Sequence, residues 1–287
     1  MKRNFLKMAL LPMVCLCMVS IDSVAQGIVI NKTNGQKVYY KAAEVESVGV
    51  YGYGEDPEPE TEEENTYTVN GVSFVMVSVE GGTFQMGSTT GDSDESPVHN
   101  VTLSNYSIGQ TEVTQELWTA VMGSNPSNWV GDKLPVERVS WNDCQTFITK
   151  LNQLTGKQFR LPTEAEWEFA ARGGKQSQGY TYSGSNTIDD VAWYTSNSSS
   201  KTHEVATKQA NELGLYDMSG NVYEWCQDWY GAYSSTAQSN PTGASSGSFR
   251  VCRGGSWFSI ASYCRVAYRS SSTPPYASSY LGLRLAL

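Results

Sequence analysis

Residues 253–287 read RGGSWFSIASYCRVAYRSSSTPPYASSYLGLRLAL. Two kinds of residue alternate in this stretch. A frame is made by Arg253, Gly254, Gly255, Ser256 and Trp257, by Cys264 and Arg265, by Tyr268 and Arg269, and by Leu281, Gly282, Leu283, Arg284 and Leu285. The gaps hold Phe258, Ser259, Ile260, Ser262, Tyr263, Ser270, Ser271, Ser272, Thr273, Pro275, Tyr276, Ala277, Ser278, Ser279 and Tyr280, none of them charged. Small hydroxyl residues mixed with tyrosine make adaptable binding loops. Tyrosine supplies contact area with few rotors to freeze, and serine supplies hydrogen bonds that adapt to a partner. The stretch reads as either a catalytic site or a binding face.

The chain around it has 287 residues, 39% hydrophobic, with 8 Trp and 17 Tyr. That is enough apolar material for one sizeable core and too much for a disordered chain. A net charge of -9 offers no basic face, so nucleic acid is not an expected partner. Much of the charge is local: Glu55, Asp56, Glu58, Glu60, Glu62, Glu63 and Glu64 share one run.

From the N-terminus, residues 1–25 read as a secretory signal peptide. Lys2, Arg3 and Lys7 precede an apolar run over 8–19, and Ser23-Val24-Ala25 fits a small-x-small cleavage site. The run is short for spanning a bilayer, and no later stretch is apolar enough to do so. Cys15 and Cys17 would suit a lipoprotein, but Val14 and Leu16 stand where a small residue is expected. Residues 26–54 read as a small β-rich module with a hairpin turn at Asn34-Gly35. Residues 55–66 form an acidic Pro/Glu linker, extended by self-repulsion.

The main domain spans residues 67–287. Strands are expected over 69–79, 82–86 and 98–108, with turns at Asn70-Gly71 and Gly81-Gly82. A first helix is expected over 111–122, with Val113, Leu117, Trp118 and Val121 on one face. Ser140 with Asp143, and Thr163 with Glu166, have the spacing of capping boxes that open two more helices. Beyond Gly174 no long period survives, so the rest should be loop and short strand. Such a region needs a fastening, and disulfide or metal are the expected ones. Four cysteines of the mature chain, Cys144, Cys226, Cys252 and Cys264, allow three full pairings or quiet buried thiols.

Longer motifs then fall in a recognisable order. They are Glu80-Gly81-Gly82-Thr83-Phe84-Gln85-Met86-Gly87-Ser88, Glu112-Val113-Thr114-Gln115, Pro135-Val136, Arg160-Leu161-Pro162-Thr163-Glu164-Ala165-Glu166-Trp167-Glu168, Gly214-Leu215-Tyr216-Asp217-Met218-Ser219-Gly220-Asn221-Val222-Tyr223-Glu224-Trp225, the Arg-Gly-Gly-Ser-Trp frame, and Gly282-Leu283-Arg284. Over roughly residues 70–287 the chain resembles the formylglycine-generating enzyme (sulfatase-modifying factor) family. The resemblance implies an α+β, C-type-lectin-like fold of that subclass, loop-rich with few helices and short strands.

The family's enzymes oxidise a client cysteine using copper(I) held by two cysteines, as soft thiolates suit that ion. Those positions here are Ser259 and Cys264, and the oxygen-pocket serine is Ser256. A serine hydroxyl does not replace a thiolate for copper(I), and the pocket's tryptophan position holds Tyr223. Copper and oxidase activity are therefore not expected, although a sulfatase-modifying enzyme or a fixed envelope-complex subunit stay open as alternatives. Gly254-Gly255-Ser256-Trp257 is not a nucleophile elbow, and His99 and His203 lie in unrelated motifs. The resemblance also implies a structural Ca2+ on Asp217, the carbonyls of Gly220 and Val222, and the Glu224 carboxylate, the oxygen-rich set that calcium takes.

The C-terminus resembles, in addition, the variable region of proteins diversified by retroelements on this same fold. There, asparagine codons are randomised at adenine, and an AAC codon reaches Ser, Tyr, Phe, Ile, Thr, Ala and Pro but not Lys, Glu, Gln, Trp or Met. All fifteen gap residues obey that rule. The expectation is an exported binder, periplasmic, secreted or surface-displayed, gripping a protein or cell-surface ligand through Tyr223 and the gap residues.

Overall fold

The computed structural model describes residues 65–287 and, before them, the strands β1 (Val19–Ile21), β2 (Gly27–Asn31) and β3 (Lys37–Lys41). Most of the expected signal peptide, the Asn34-Gly35 turn and the acidic linker up to residue 64 lie outside the described residues. The chain divides into two units, Met1–Thr61 and Glu62–Leu287. In the first, β2 pairs antiparallel with β3 from Gly27 opposite Lys41 to Asn31 opposite Lys37, the strands of the expected hairpin. β1 adds antiparallel to the other edge of β2.

The second unit runs through β4 (Thr66–Val69), β5 (Val72–Val79), β6 (Thr83–Met86), β7 (His99–Thr102), β8 (Tyr106–Gly109), α1 (Gln115–Met122), α2 (Trp141–Thr155), α3 (Glu164–Ala171), α4 (Ile188–Val191), β9 (Tyr223–Trp229), β10 (Gln238–Ser239), β11 (Arg250–Arg253), β12 (Ser270–Ser272) and β13 (Leu281–Leu283). These strands form three small sheets ordered β4-β5-β8, β10-β7-β6 and β12-β11-β9-β13. The expected turn at Asn70-Gly71 forms and joins β4 to β5 as a hairpin: both residues take positive φ (48° and 83°), the backbone of a tight two-residue turn. The expected strand at 98–108 is two strands that enter different sheets, β7 against β6 and β8 against β5.

Both capping boxes form: Ser140 and Thr163 accept from the N–H groups of Asp143 and Glu166, whose carboxylates return to the cap. Helix α1 starts four residues later than expected. Thr114 takes the cap, accepting from the Leu117 N–H, and Glu112 is pulled into the interior beneath the 217–224 loop.

Helices α1 and α2 pack on β4 and β5 through Trp118 and Phe147, stacked at 4.8 Å. Helix α3 places Trp167 and Phe169 in a second cluster against β6, β9 and β11. Cys144, Cys226, Cys252 and Cys264 are all free and buried, and burial pushes each thiol's pKa upward. Of the alternatives left open for these four residues, the quiet buried thiol is the one realised. The expectation that disulfides fasten the loops is corrected: a set of buried ion pairs ties them in.

Candidate functional site

Every arginine of the 253–287 frame is tied to a buried carboxylate on another element. Arg253 reaches Glu164 at 3.2 Å and Glu168 at 2.5 Å, both on α3. Arg269 grips Glu164 through Nε and Nη2 at 2.6 and 2.8 Å. Arg265 holds Glu95 in two bonds of 2.8 and 2.5 Å, and Arg284 holds Glu224 on β9 at 2.7–3.0 Å. The carboxylates are at most 5% exposed. Such forked pairs fix direction as well as distance. Losing one partner would strand the other as an uncompensated buried charge.

Two glycines let the frame turn. Gly255 has φ 75°, and a Cβ there would meet the Cys264 sulfur at 2.7 Å and the Tyr263 carbonyl at 2.8 Å. Gly254 has φ 95° and lies against the Trp167 ring. No side chain fits at Gly255 without pushing away the 263–264 backbone.

With the frame turned inward, the gaps face outward. Phe258, Ile260, Ser262, Tyr263, Thr273, Pro275, Tyr276 and Ala277 are exposed, and Ser270, Ser271, Ser272, Ser278, Ser279 and Tyr280 are half-buried. Four of the eight exposed large hydrophobic residues of the described chain are here, Phe258, Ile260, Tyr263 and Tyr276. They are linked through an aromatic belt. Tyr263 stacks on Tyr268 at 4.6 Å, Tyr280 meets Tyr223 edge-on at 6.3 Å, and the hydroxyls of Tyr276 and Tyr280 are 2.6 Å apart. Trp257 joins the two gap loops by donating its indole N–H to the Ser279 carbonyl at 2.9 Å. Tyr223 is half-buried and forms the floor of the belt.

Ser259 is the exception and corrects the expectation that all gap residues are contacts. It is 6% exposed, its hydroxyl accepting the Ser256 N–H at 3.0 Å and meeting the Ser256 hydroxyl at 3.1 Å. This short turn throws Phe258 and Ile260 outward on either side.

The family's copper positions do come together, because the Ser256 N–H that serves Ser259 also faces the Cys264 thiol. Burial pushes that thiol up to about 12, and Ser259 beside it offers a hydroxyl where copper(I) would need a second thiolate. Ser256 bonds only to Ser259 and the Phe258 N–H, with no histidine or acid beside it. His99 bonds the Pro97 carbonyl, whereas His203 stacks on Trp193 with ring centroids 3.7 Å apart. The two histidines share no site.

Of the four groups expected to hold calcium, the Glu224 carboxylate is already committed. Both Glu224 oxygens are taken by Arg284, and one also accepts the Trp167 indole N–H at 2.6 Å. A dication would have to displace a guanidinium from a fully buried carboxylate. Asp217, at φ 58°, accepts the Ala206 N–H at 2.8 Å and keeps one buried oxygen without a donor. The Gly220–Val222 turn is gripped by Glu112, which sequence reasoning missed: it accepts from the Val222 N–H at 2.9 Å and the Asn221 side chain at 2.7 Å. Burial, with Asp217 and Glu224 nearby, drives the Glu112 pKa up, and burial lifts Asp217 to about 6. Among the described residues no cluster of three or more His, Cys, Asp or Glu side chains is arranged to hold a metal.

Residues 61–287 match the sulfatase-modifying factor enzyme 1-like domain. Chaperone protein LppX of Paenibacillus barcinonensis is 38% identical over 247 residues, 69% of this chain and 83% of that protein. The formylglycine-generating enzyme of Streptomyces coelicolor is 39% identical over 170 residues, 53% of this chain and 52% of the enzyme, so the chain spans about half of it. Among solved structures, Treponema denticola variable protein 1 superposes with a TM-score of 0.73 at 40% identity, covering 77% of this chain and 97% of that one. With its buried Arg-Gly-Gly-Ser frame and its α+β, C-type-lectin-like architecture, the chain belongs to the formylglycine-generating enzyme (sulfatase-modifying factor) family.

Proposed function

We propose that this protein is an exported ligand-binding member of the family, with a diversified C-terminal face and no oxidase activity. One observation carries the reading. Of the fifteen gap residues eight are exposed, six half-buried and only Ser259 buried, while Arg253, Gly254, Gly255, Arg269 and Arg284 of the frame are buried. The likeness to a Treponema variable protein at 40% identity supports the same reading. The ligand is a folded protein or cell-surface feature, since the exposed aromatics are spread over two loops. The charged start and short apolar run of residues 1–25 support export, and among the described residues no helix is long and apolar enough to cross a membrane.

The reading needs neither metal of the family. Ser259 leaves copper(I) with one thiol where it needs a pair, and Arg284 already neutralises the carboxylate that calcium would use. The test is the coding DNA of close strains. Differences should fall on the gap codons, at adenines of a near-copy of this segment beside a reverse-transcriptase gene. Differences spread evenly over frame and gaps would refute diversification. Turnover of a sulfatase-motif peptide by the copper-loaded protein would restore the oxidase reading.

A further inference from the structure

The gap loops meet a second surface that lies far from them in sequence. Trp129 and Val130 sit on the loop 125–131, after α1. The Trp129 ring meets Trp257 edge-on, centroids 4.9 Å apart and planes at 82°, and Trp257 in turn contacts Phe258 at 5.4 Å. Val130 is 81% exposed, the highest value among the exposed large hydrophobic side chains of the described residues.

An exposed valine on a loose loop would mean nothing, but this loop is clamped from below by two buried side chains. The Gln115 amide donates to the Trp129 carbonyl at 2.7 Å, and its oxygen accepts from the Asn125 side chain at 2.7 Å and the Gly131 N–H at 3.1 Å. One Glu137 oxygen accepts from the N–H groups of Asn128 and Trp129. Gln115 is 1% exposed and Glu137 0%. The second Glu137 oxygen is buried with no donor. Burying a carboxylate half-satisfied is costly, and here the result is an apolar tip held still in water. Ordering a contact before the partner arrives lowers the entropy lost on binding.

We propose that the loop 125–131 is a constant rim of the ligand face, contacted through Trp129 and Val130 by the same folded protein that docks on the gap residues, with Gln115 and Glu137 as its positioning residues. This rests on the binding reading above. The exchangeable residues choose the partner, and the rim adds affinity whichever partner is chosen. A folded protein is the occupant because the surface runs unbroken from Val130 through Trp129 and Trp257 to Phe258. The clefts lined by Glu112, Lys133 and Val205, or by Asn105 and Leu287, include none of these residues.

The test uses the full chain displayed on yeast with the eight exposed gap codons randomised. Libraries are selected separately against two unrelated probe proteins, hen lysozyme and serum albumin. Trp129→Ala and Val130→Ser are then placed in clones of different gap sequence. Trp129→Ala should weaken binding to both probes about tenfold, the scale of an aromatic hot spot. Val130→Ser, at a side chain too exposed to affect folding, should weaken it in the same direction. Glu137→Ala should reproduce the Trp129 loss, and Glu137→Gln, which keeps an acceptor for the two N–H groups, should recover most of it. Binders to both probes that ignore Trp129→Ala and Val130→Ser would overturn the rim and leave the binding face standing. A folded library that yields no binder to either probe would overturn the face, and the rim with it.

Discussion

Arg284→Met removes the guanidinium that neutralises Glu224, and its cost can be worked from the contacts. At 2.7 Å and an effective dielectric of about 20, the attraction between the two charges is about 6 kcal/mol. Dehydrating both ions costs several kcal/mol each, so the intact pair contributes little net stability. Removing only the arginine is different. Glu224 is 0% exposed and would keep one donor, the Trp167 indole, while facing Glu112 and Asp217 across the same interior. Arg284 also satisfies the carbonyls of Gly109 and Tyr216 at 2.8 and 2.7 Å. We expect Arg284→Met to destabilise by about 3–5 kcal/mol, a large part of the roughly 5–15 kcal/mol that holds a domain folded. Adding Glu224→Gln should return about half of the loss, because the stranded charge is then gone. The assay is urea unfolding followed by tryptophan fluorescence. With a slope of about 3 kcal/mol per molar, 4 kcal/mol lowers the midpoint by about 1.3 M. A midpoint drop under about 0.3 M for the single variant would refute the reasoning. So would a double variant destabilised by the sum of its singles.

Four further outcomes follow from the same contacts. Phe258→Ser and Tyr276→Ser, at side chains 66% and 40% exposed, should change stability by less than about 0.5 kcal/mol, as surface substitutions do; a melting curve checks this, and a loss above about 2 kcal/mol would make these residues structural. Burial raises Asp217 from 3.8 to about 6, so the folded state holds the proton more tightly than the unfolded one; stability should fall by up to about 3 kcal/mol as pH rises from 4 to 7, and Asp217→Asn should flatten that slope in urea titrations. Ser259→Cys places a second sulfur across the Ser256 N–H from Cys264, and copper(I) competition with a chromophoric chelator should then show binding that the parent chain lacks. Millimolar calcium or its chelation should leave the melting temperature within about 1 °C, because Glu224 is committed to Arg284; a rise of several degrees on adding calcium would mean that the ion displaces the guanidinium.

Much of this was legible in the chain. The β4–β5 turn at Asn70-Gly71 and the caps at Ser140 and Thr163 are local: each is decided by residues within a few positions of one another, and sequence reports such neighbours directly. The division of 253–287 into frame and gaps was legible too, because it rests on which residue types recur and which vary within one short stretch. Where the fastening lies was not legible. Cys144, Cys226, Cys252 and Cys264 suggested disulfides, yet all four are free. The loops are held by Arg253, Arg265, Arg269 and Arg284 reaching Glu95, Glu164, Glu168 and Glu224, 60 to 170 positions away.

Ser259, Glu112 and Trp129 make the same point at the site itself. Ser259 obeys the composition of the gaps, yet its hydroxyl turns back onto the Ser256 N–H and hydroxyl and is buried there. Glu112 opens a motif and Trp129 stands in none, but only the folded chain brings one under the 217–224 loop and the other against Trp257. Sequence alone carried the local turns and caps, the family and the kind of surface the last segment makes, because those depend on residue type and short spacing. The tertiary structure decided which charges neutralise one another, which gap residue is hidden and which distant loop borders the face, because burial and ion pairing depend on neighbours that the chain does not place side by side.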